Sequence, residues 1–344
     1  MPKHTAAVTD EADGPVPAVS VCVPAYQGAK YIGATVESVL AQTFTDFELV
    51  VLDNGSTDGT SAVVSSFDDP RIRLERRDET VPISHNWNRA VRLCRAPLVK
   101  LLCADDVLRP RALELQVAAL RTHEDAAMAA ARADMLDPAD RILFRNRFLG
   151  GLVGVLNGDD VVRTIVRHGG NPIGPPVSVT FRRADFEAVG GFDPDEEFLG
   201  DLLLWSRLLE HGRLVGLRES LGGFRIHPAS LSGAAGRRQF RAQRAFTAAL
   251  AGDKRWAVRR RDVLAGGIGA YGALARRHAL FVFSRLRHRI AAPSPTTDRN
   301  GTPLDGARPT SGTTGGVRAA GDRPDTGPAT PVLHDADSGD IAPR

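Results

Sequence analysis

From residue 18 onward, short and almost continuous apolar runs alternate with stretches whose apolar residues recur at helical spacing. AVSVCVP (18–24), FELVVLD (47–53), RIRLE (71–75) and LVKLLC (98–103) read as strands. Between them, residues 28–42 put Ile32, Val36, Val39 and Leu40 on one helical face, and TDGTSAVVSSF (57–67) and NWNRAVRLC (86–94) read as further helices. A run apolar on both faces suits a strand buried in a parallel sheet, and repeated β-α-β units bring the helices onto both sides of it. The pattern predicts an α/β fold, a Rossmann-like sandwich with a mostly parallel central sheet.

Past residue 110 the rhythm loosens. A helix from Pro110 to about Thr122 is followed by short strands, and GGNPIGPPVSVTFRR (169–183) holds too much Gly and Pro for regular helix. A helical stretch at 201–211 and the strands RLVGL (213–217) and GFRIH (223–227) close a domain spanning 18–233. Residues 234–290 read as two or three basic helices. Residues 1–17 form a polar leader, and 291–344, almost free of apolar side chains, are expected to be disordered.

Composition narrows the classes. With 344 residues, 42% of them hydrophobic and 25% charged, the chain has enough apolar material for a sizeable core. Three scattered cysteines, Cys22, Cys94 and Cys103, do not make a disulfide framework or a zinc motif. No run approaches the roughly 18 consecutive apolar residues of a membrane span, and the first residues lack a signal peptide's apolar core. These features point to the cytoplasm. The net charge of +3 is unevenly placed, with ten Lys or Arg against Asp262 alone in residues 254–290.

Two segments carry candidate chemistry. In KLLCADDVLRP (100–110) an apolar strand runs into two adjacent carboxylates, Asp105 and Asp106, at the sheet edge where α/β proteins bind ligands. Such a pair repels unless a cation or proton compensates, and Mg²⁺ or Mn²⁺ bound to a diphosphate suits one or two carboxylates. In VVLDNGSTDGT (50–60), Asp53 ends a strand before an Asn-Gly turn; it either caps that turn or accepts hydrogen bonds from a ribose or base. Alone, Asp201 reads as a helix cap, His227 as a loop or packing histidine, Lys100 as a solvated edge residue, and Trp205 and Trp87 as core.

The ordered set of words VSVCVPAYQGAKYIGATVESVLAQTFTDFELVVLDNGSTDGT, NWNRAV, KLLCADDVLRP, VGGFDP, DLLLWSRLLEHG and FRIHPASLS resembles the family 2 glycosyltransferases, over roughly residues 18–233. The resemblance implies a GT-A fold and metal-assisted transfer, with inversion, from a nucleotide-diphosphate sugar to an acceptor hydroxyl. It implies that Pro24, Ala25 and Tyr26 line the base pocket and that Asp53 holds base or ribose. Lys100, Asp105 and Asp106 belong to the donor site, with Asp105 as ligand of Mg²⁺ or Mn²⁺. Cys103 stands where the family's D-x-D element has its first acid, and Gly200 stands where the catalytic Glu-Asp pair has its Glu. Asp201 then fills the position of the catalytic base, and Arg225 and His227 sit on a loop over the diphosphate. The expected acceptor is a saccharide or lipid-linked glycan in polysaccharide or glycoconjugate synthesis.

Other readings fit less well. A nucleotidyltransferase or NAD enzyme would carry a Gly-rich loop after the first strand, whereas VPAYQGAKY has one Gly. A non-catalytic sugar-nucleotide-binding or scaffold protein is the alternative that the residues at 103 and 200 leave open. ARRHALFVFSRLRHRI (275–290) suggests an anionic membrane surface with Leu280, Phe281 and Phe283 inserted, hence peripheral association at the inner face of the plasma membrane; a solvated basic helix packed on the domain is the competing reading. Nucleic acid is not expected, since no aromatic platform or recognition module accompanies the charge.

Overall fold

The computed structural model describes residues 15–196, 199–227, 237–272 and 275. The leader up to residue 14, the FRIHPASLS segment beyond His227, all but Ala275 of the basic stretch 275–290, and the tail 291–344 lie outside the described residues.

The amino-terminal half follows the sequence pattern closely. Strands β1 (Val19–Ala25), β2 (Phe47–Asp53), β3 (Ile72–Arg76) and β4 (Leu98–Leu101) pair in parallel in the order β3-β2-β1-β4. Helices α1 (Ile32–Leu40), α2 (Thr60–Ser65) and α3 (Ile83–Arg92) make the crossovers. Every residue of β1 and β2 is buried, which is why both read as apolar throughout. Of the polar exceptions, Ser20 and Glu48 satisfy each other: Ser20 Oγ donates to Glu48 Oε1 at 2.5 Å, and Glu48 also accepts from the Arg95 backbone and guanidinium.

The second half departs from expectation at three places. After β5 (Val107–Leu108) and α4 (Ala112–Thr122), the expected short strands include one of eleven residues, β6 (Ala126–Leu136). Alanine prefers helix, but AAMAAARADML is wedged between two strands, where tertiary pairing overrides propensity. Met128 and Ala130 enter one face's core, while Ala129, Ala131 and Ala133 enter the other with Leu113, Val117 and Leu120 of α4. Strands β7 (Ile142–Arg147) and β8 (Gly154–Leu156) lead to α5 (Gly158–His168), an amphipathic helix that the coarse sequence pattern does not single out.

After a short 3-10 turn at Pro176–Ser178 come β9 (Val179–Arg182), α6 (Arg183–Ala188) and α7 (Gly200–Leu208). The two expected closing strands are one bulged strand, β10 (Arg213–Arg225), parallel to β6. The full sheet order is β3-β2-β1-β4-β9-β6-β10-β5, with β7 on β6 and β8 on β10. Its two longest ladders, β6–β10 and β1–β2, are parallel, and shorter antiparallel ladders join the halves. Beyond it lie α8 (Arg237–Gly252) and a helix at 260–272, α9.

Candidate active site

The carboxyl ends of β1, β2 and β4 open onto one edge of the sheet, and the loops that follow them are tied together there. Ala25 pairs with Asp53 in register, so the β1 and β2 loops leave at the same level. Gln27 has positive φ of 48°, an uncommon conformation for a non-glycine residue. It is held by crossing bonds: its N–H donates to Ser56 Oγ at 2.9 Å, and its side-chain amide exchanges bonds with Thr57. Pro24 and Ala25 are buried at the end of β1, and Tyr26, the next residue, is 54% exposed.

Asp53 is completely buried. Its Oδ1 accepts from the Ser56 N–H at 2.9 Å, its Oδ2 from the Ser61 hydroxyl, and the Arg76 guanidinium lies 3.6 Å away. The carboxylate therefore fixes the turn that follows β2 and ties it to α2 through Ser61.

The acid loop, residues 103–106, is gripped from two sides. Thr35 of α1 places its hydroxyl 2.9 Å from Ala104 O and 2.8 Å from Asp106 O. From the end of β10, the Arg225 N–H donates to Asp106 Oδ1 at 2.9 Å and its Nε to Asp105 O at 2.7 Å. His227 Nε2 lies 2.8 Å from Asp105 Oδ2. The Arg225 guanidinium sits over the Tyr31 ring and meets Asp140 at 2.6 Å. Arg225 is thus a buried strand residue bracing the loop from below, not part of a loop that swings over a diphosphate.

Asp105 and Asp106 differ in environment. Asp105 is partly exposed; Asp106 is fully buried, and its Oδ2 has no hydrogen-bond partner. Burial, then the Asp105 charge, push Asp106 well above the carboxylate range. Cys103 Sγ and a carboxylate oxygen from each aspartate lie within 4.8 Å of one another. An orphaned buried oxygen beside an accessible carboxylate fits a divalent cation, because a positive charge there compensates both groups. Asp105 is the reachable oxygen donor, and the thiol is the one donor in the cluster that does not suit Mg²⁺.

Lys100 is where the sequence expectation needs correction. It is not a solvated edge residue: its ammonium is completely buried, donating to Val177 O at 2.6 Å and Gln116 Oε1 at 3.0 Å. Desolvation lowers its pKa to about 7 against the opposing pull of Asp106. A depressed lysine binds its proton more weakly when folded than unfolded, so between pH 7 and about 10 stability should rise with pH, by up to about 1.4 kcal/mol per unit. Chemical-denaturation curves across that range should show a shallower slope for Lys100→Met; an unchanged slope would mean the ammonium is not desolvated.

Across the acid loop, α7 carries Asp201 in its first turn. Its Oδ1 accepts from the Leu202 N–H at 2.7 Å and its Oδ2 from Asn171 Nδ2 at 3.0 Å. Burial raises its pKa to about 6 despite both bonds. Its charge also contributes, after burial and the two loop aspartates, to holding the Cys103 thiol well above its usual value, which puts α7's first turn beside the acid loop. Asn171 is the residue that sequence reasoning passed over. Its amide is pinned at both ends by Gly174, Oδ1 accepting from the N–H at 2.9 Å and Nδ2 donating to the carbonyl at 3.0 Å. Gly174 has φ of 121°, and a Cβ there would meet Ser178 Oγ at 2.8 Å, so this turn needs glycine. The Asn-Pro-x-Gly spacing inside 169–183 was the available signal. Trp205, fully buried as expected of a core residue, closes the turn by donating Nε1–H to Gly174 O at 3.1 Å; Trp87 is partly buried and packs edge-on against Phe192 of the core.

Residues 20–190 match the family described as Glycosyl transferase family 2. The chain is a member of that family. Among curated proteins, an uncharacterized Mycobacterium tuberculosis protein, MT1568, is 31% identical over 56% of this chain and 62% of its own length. The Escherichia coli chondroitin synthase is 43% identical over 29% of this chain and 15% of its own. The chain thus spans about three fifths of the first relative and a small part of the second. A solved mannosyltransferase from Pyrobaculum calidifontis, in complex with GDP-Man and Mn²⁺, superposes with a TM-score of 0.52 at 19% identity, covering 81% of this chain and 77% of its own. That likeness is one of fold, the GT-A fold expected from the sequence.

Proposed function

We propose that this family 2 member transfers a sugar from a nucleotide-diphosphate donor to an acceptor hydroxyl with inversion, in the synthesis of a polysaccharide or glycoconjugate. The observation that carries the reading is Asp201: a carboxylate raised toward neutrality by burial, fixed by Asn171 and Leu202, and facing the acid loop. In this reading Pro24, Ala25 and Tyr26 receive the base, and Asp53 keeps the turn beside it in shape. Asp105, oriented by His227, would hold the divalent cation of the donor's diphosphate, while Asp106 and Arg225 hold the loop. A divalent ion at Asp105, Mg²⁺ or Mn²⁺, would supply neutralisation of the charge that develops on the leaving diphosphate. Asp201 takes the acceptor's proton, so that the hydroxyl oxygen attacks from the side away from the diphosphate.

Two features of relatives agree with this: chondroitin synthase is a polysaccharide enzyme by name, and the mannosyltransferase holds GDP-Man with Mn²⁺. The test is transfer or hydrolysis of labelled sugar nucleotides with Mn²⁺ against a panel of donors. A base with pKa about 6 must be ionised to work, so kcat should fall below pH 6 along a single-proton limb. A flat profile down to pH 5 would remove Asp201 from the role.

Attachment to an anionic membrane belongs to the same proposal. Among the described residues no helix is long and apolar enough to cross a membrane. Helix α9, however, is packed inside out. Gly266 meets α5 so closely that a Cβ would lie 2.1 Å from Val166 O, while Leu264, Ile268 and Tyr271 stand 74%, 79% and 60% exposed along the outer face. Exposed arginines 259–261 flank that stripe, and a cationic rim around an apolar stripe suits anionic lipid and a lipid-linked acceptor. The full chain should float with anionic vesicles and not with neutral ones, and Leu264→Asp with Ile268→Asp should abolish it; flotation retained in that variant rejects this surface.

A further inference from the structure

The acid loop contains a donor that neither magnesium chemistry nor the transfer step uses. Cys103 is partly buried, and its Sγ stands in one cluster with the oxygens of Asp105 and Asp106. The other two cysteines are remote in chemistry: Cys22 and Cys94 are core residues, and Cys94 Sγ is engaged with Ala90 O at 3.4 Å. The cluster also holds an unsatisfied group, since Asp106 is fully buried and its Oδ2 has no partner.

We infer that this cluster is a site for a thiophilic divalent ion, of the class of Zn²⁺ or Cd²⁺, ligated by Cys103 Sγ together with Asp105 and Asp106, and that such an ion excludes the hard cation. The inference rests on the same placement of a cation at Asp105 as the functional reading. Around a tetrahedral zinc, sulfur at about 2.3 Å and oxygen at about 2.0–2.2 Å lie roughly 3.6 Å from each other. A set already within 4.8 Å therefore needs only small side-chain rotations. The hydrogen bond between His227 Nε2 and Asp105 Oδ2 is the kind of outer contact that orients a ligating carboxylate. On binding, the Cys103 S–H bond is exchanged for a sulfur–metal bond and the proton leaves to water. Two carboxylates and one thiolate then surround the ion, and the fourth position stays open to water or a phosphate oxygen. Thiolate ligands favour soft and borderline ions and disfavour Mg²⁺, so the ranking of ions at this loop departs from that of an all-oxygen site.

The test uses the full chain without nucleotide, so that it reads the site and not the transfer reaction. Titration with Cd²⁺ should produce the ultraviolet sulfur-to-cadmium charge-transfer band, saturating at one ion per chain. Zn²⁺ should compete it away and should protect Cys103 from alkylation in peptide mapping. Cys103→Ser should lose the band and weaken Zn²⁺ binding at least about tenfold, equivalent to about 1.4 kcal/mol. Cys103→Asp should also lose the band while tightening Mn²⁺. A wild-type chain with no band, a band surviving in Cys103→Ser, or one removed by Cys94→Ala overturns the inference. Should Cys103→Ser fold poorly, as its melting curve would reveal, the protection pattern in the wild-type chain decides. Cadmium binding without any sugar-nucleotide turnover would leave this site standing and the proposed function fallen; turnover with Mn²⁺ and no band would do the reverse.

Discussion

Asp201→Asn should lower kcat by about 10²–10⁴-fold while leaving donor binding unchanged, because a general base acts on the acceptor's proton and not on the nucleotide. That range corresponds to roughly 2.7–5.4 kcal/mol of transition-state stabilisation. The local geometry adds a condition. Asn171 cannot rotate its amide to suit a new neighbour, since Gly174 occupies both ends of it, so an amide at position 201 would set donor against donor. Asp201→Ala removes that conflict and should show the same kinetic loss. Full activity in both variants would assign the base elsewhere; loss of donor affinity in both would mean that the turn around Gly174 had collapsed and Asp201 was structural.

The second large effect concerns the metal. Asp105→Ala should abolish the dependence of donor binding on Mg²⁺ or Mn²⁺ in calorimetry, leaving the weak affinity that the nucleoside pocket provides by itself. Asp105 differs here from its neighbour: it is partly exposed, whereas Asp106 is fully buried and receives the Arg225 N–H. Asp106→Ala is therefore expected to leave the buried Arg225 backbone N–H without its acceptor and to reduce folding stability, with a lower melting temperature as its signature. If Asp106→Ala, and not Asp105→Ala, removed the metal dependence of a folded chain, the two roles would have to be exchanged.

The parallel half of the sheet was legible because its strands are buried on both faces and carry almost unbroken apolar runs between helices of clear period. β6 and β10 were not, for opposite reasons. β6 is so rich in alanine that local propensity speaks for helix, and only its position between β9 and β10 makes it a strand. β10 carries Arg218 and Glu219 within one register shift and Gly222 at the next, so one strand reads as two. At the site, Asp105 and Asp201 stood out as acids at element ends. Lys100 misled, because a lysine in a strand reads as an edge residue unless Gln116 and the Val177 carbonyl, distant in sequence, are known to enclose it. Asn171 was hidden in a Gly/Pro stretch that announces irregular backbone and does not say which carboxylate that backbone serves.

The proposed transfer requires the ion and the two acids to take set places around a bound donor. Anomalous diffraction from crystals of the full chain soaked with a sugar nucleotide and Mn²⁺ reads this directly. A manganese peak should lie on an Asp105 oxygen and the diphosphate, with the Asp201 carboxylate on the opposite side of the anomeric carbon. A peak away from Asp105, or Asp201 on the same side as the leaving diphosphate, would contradict it.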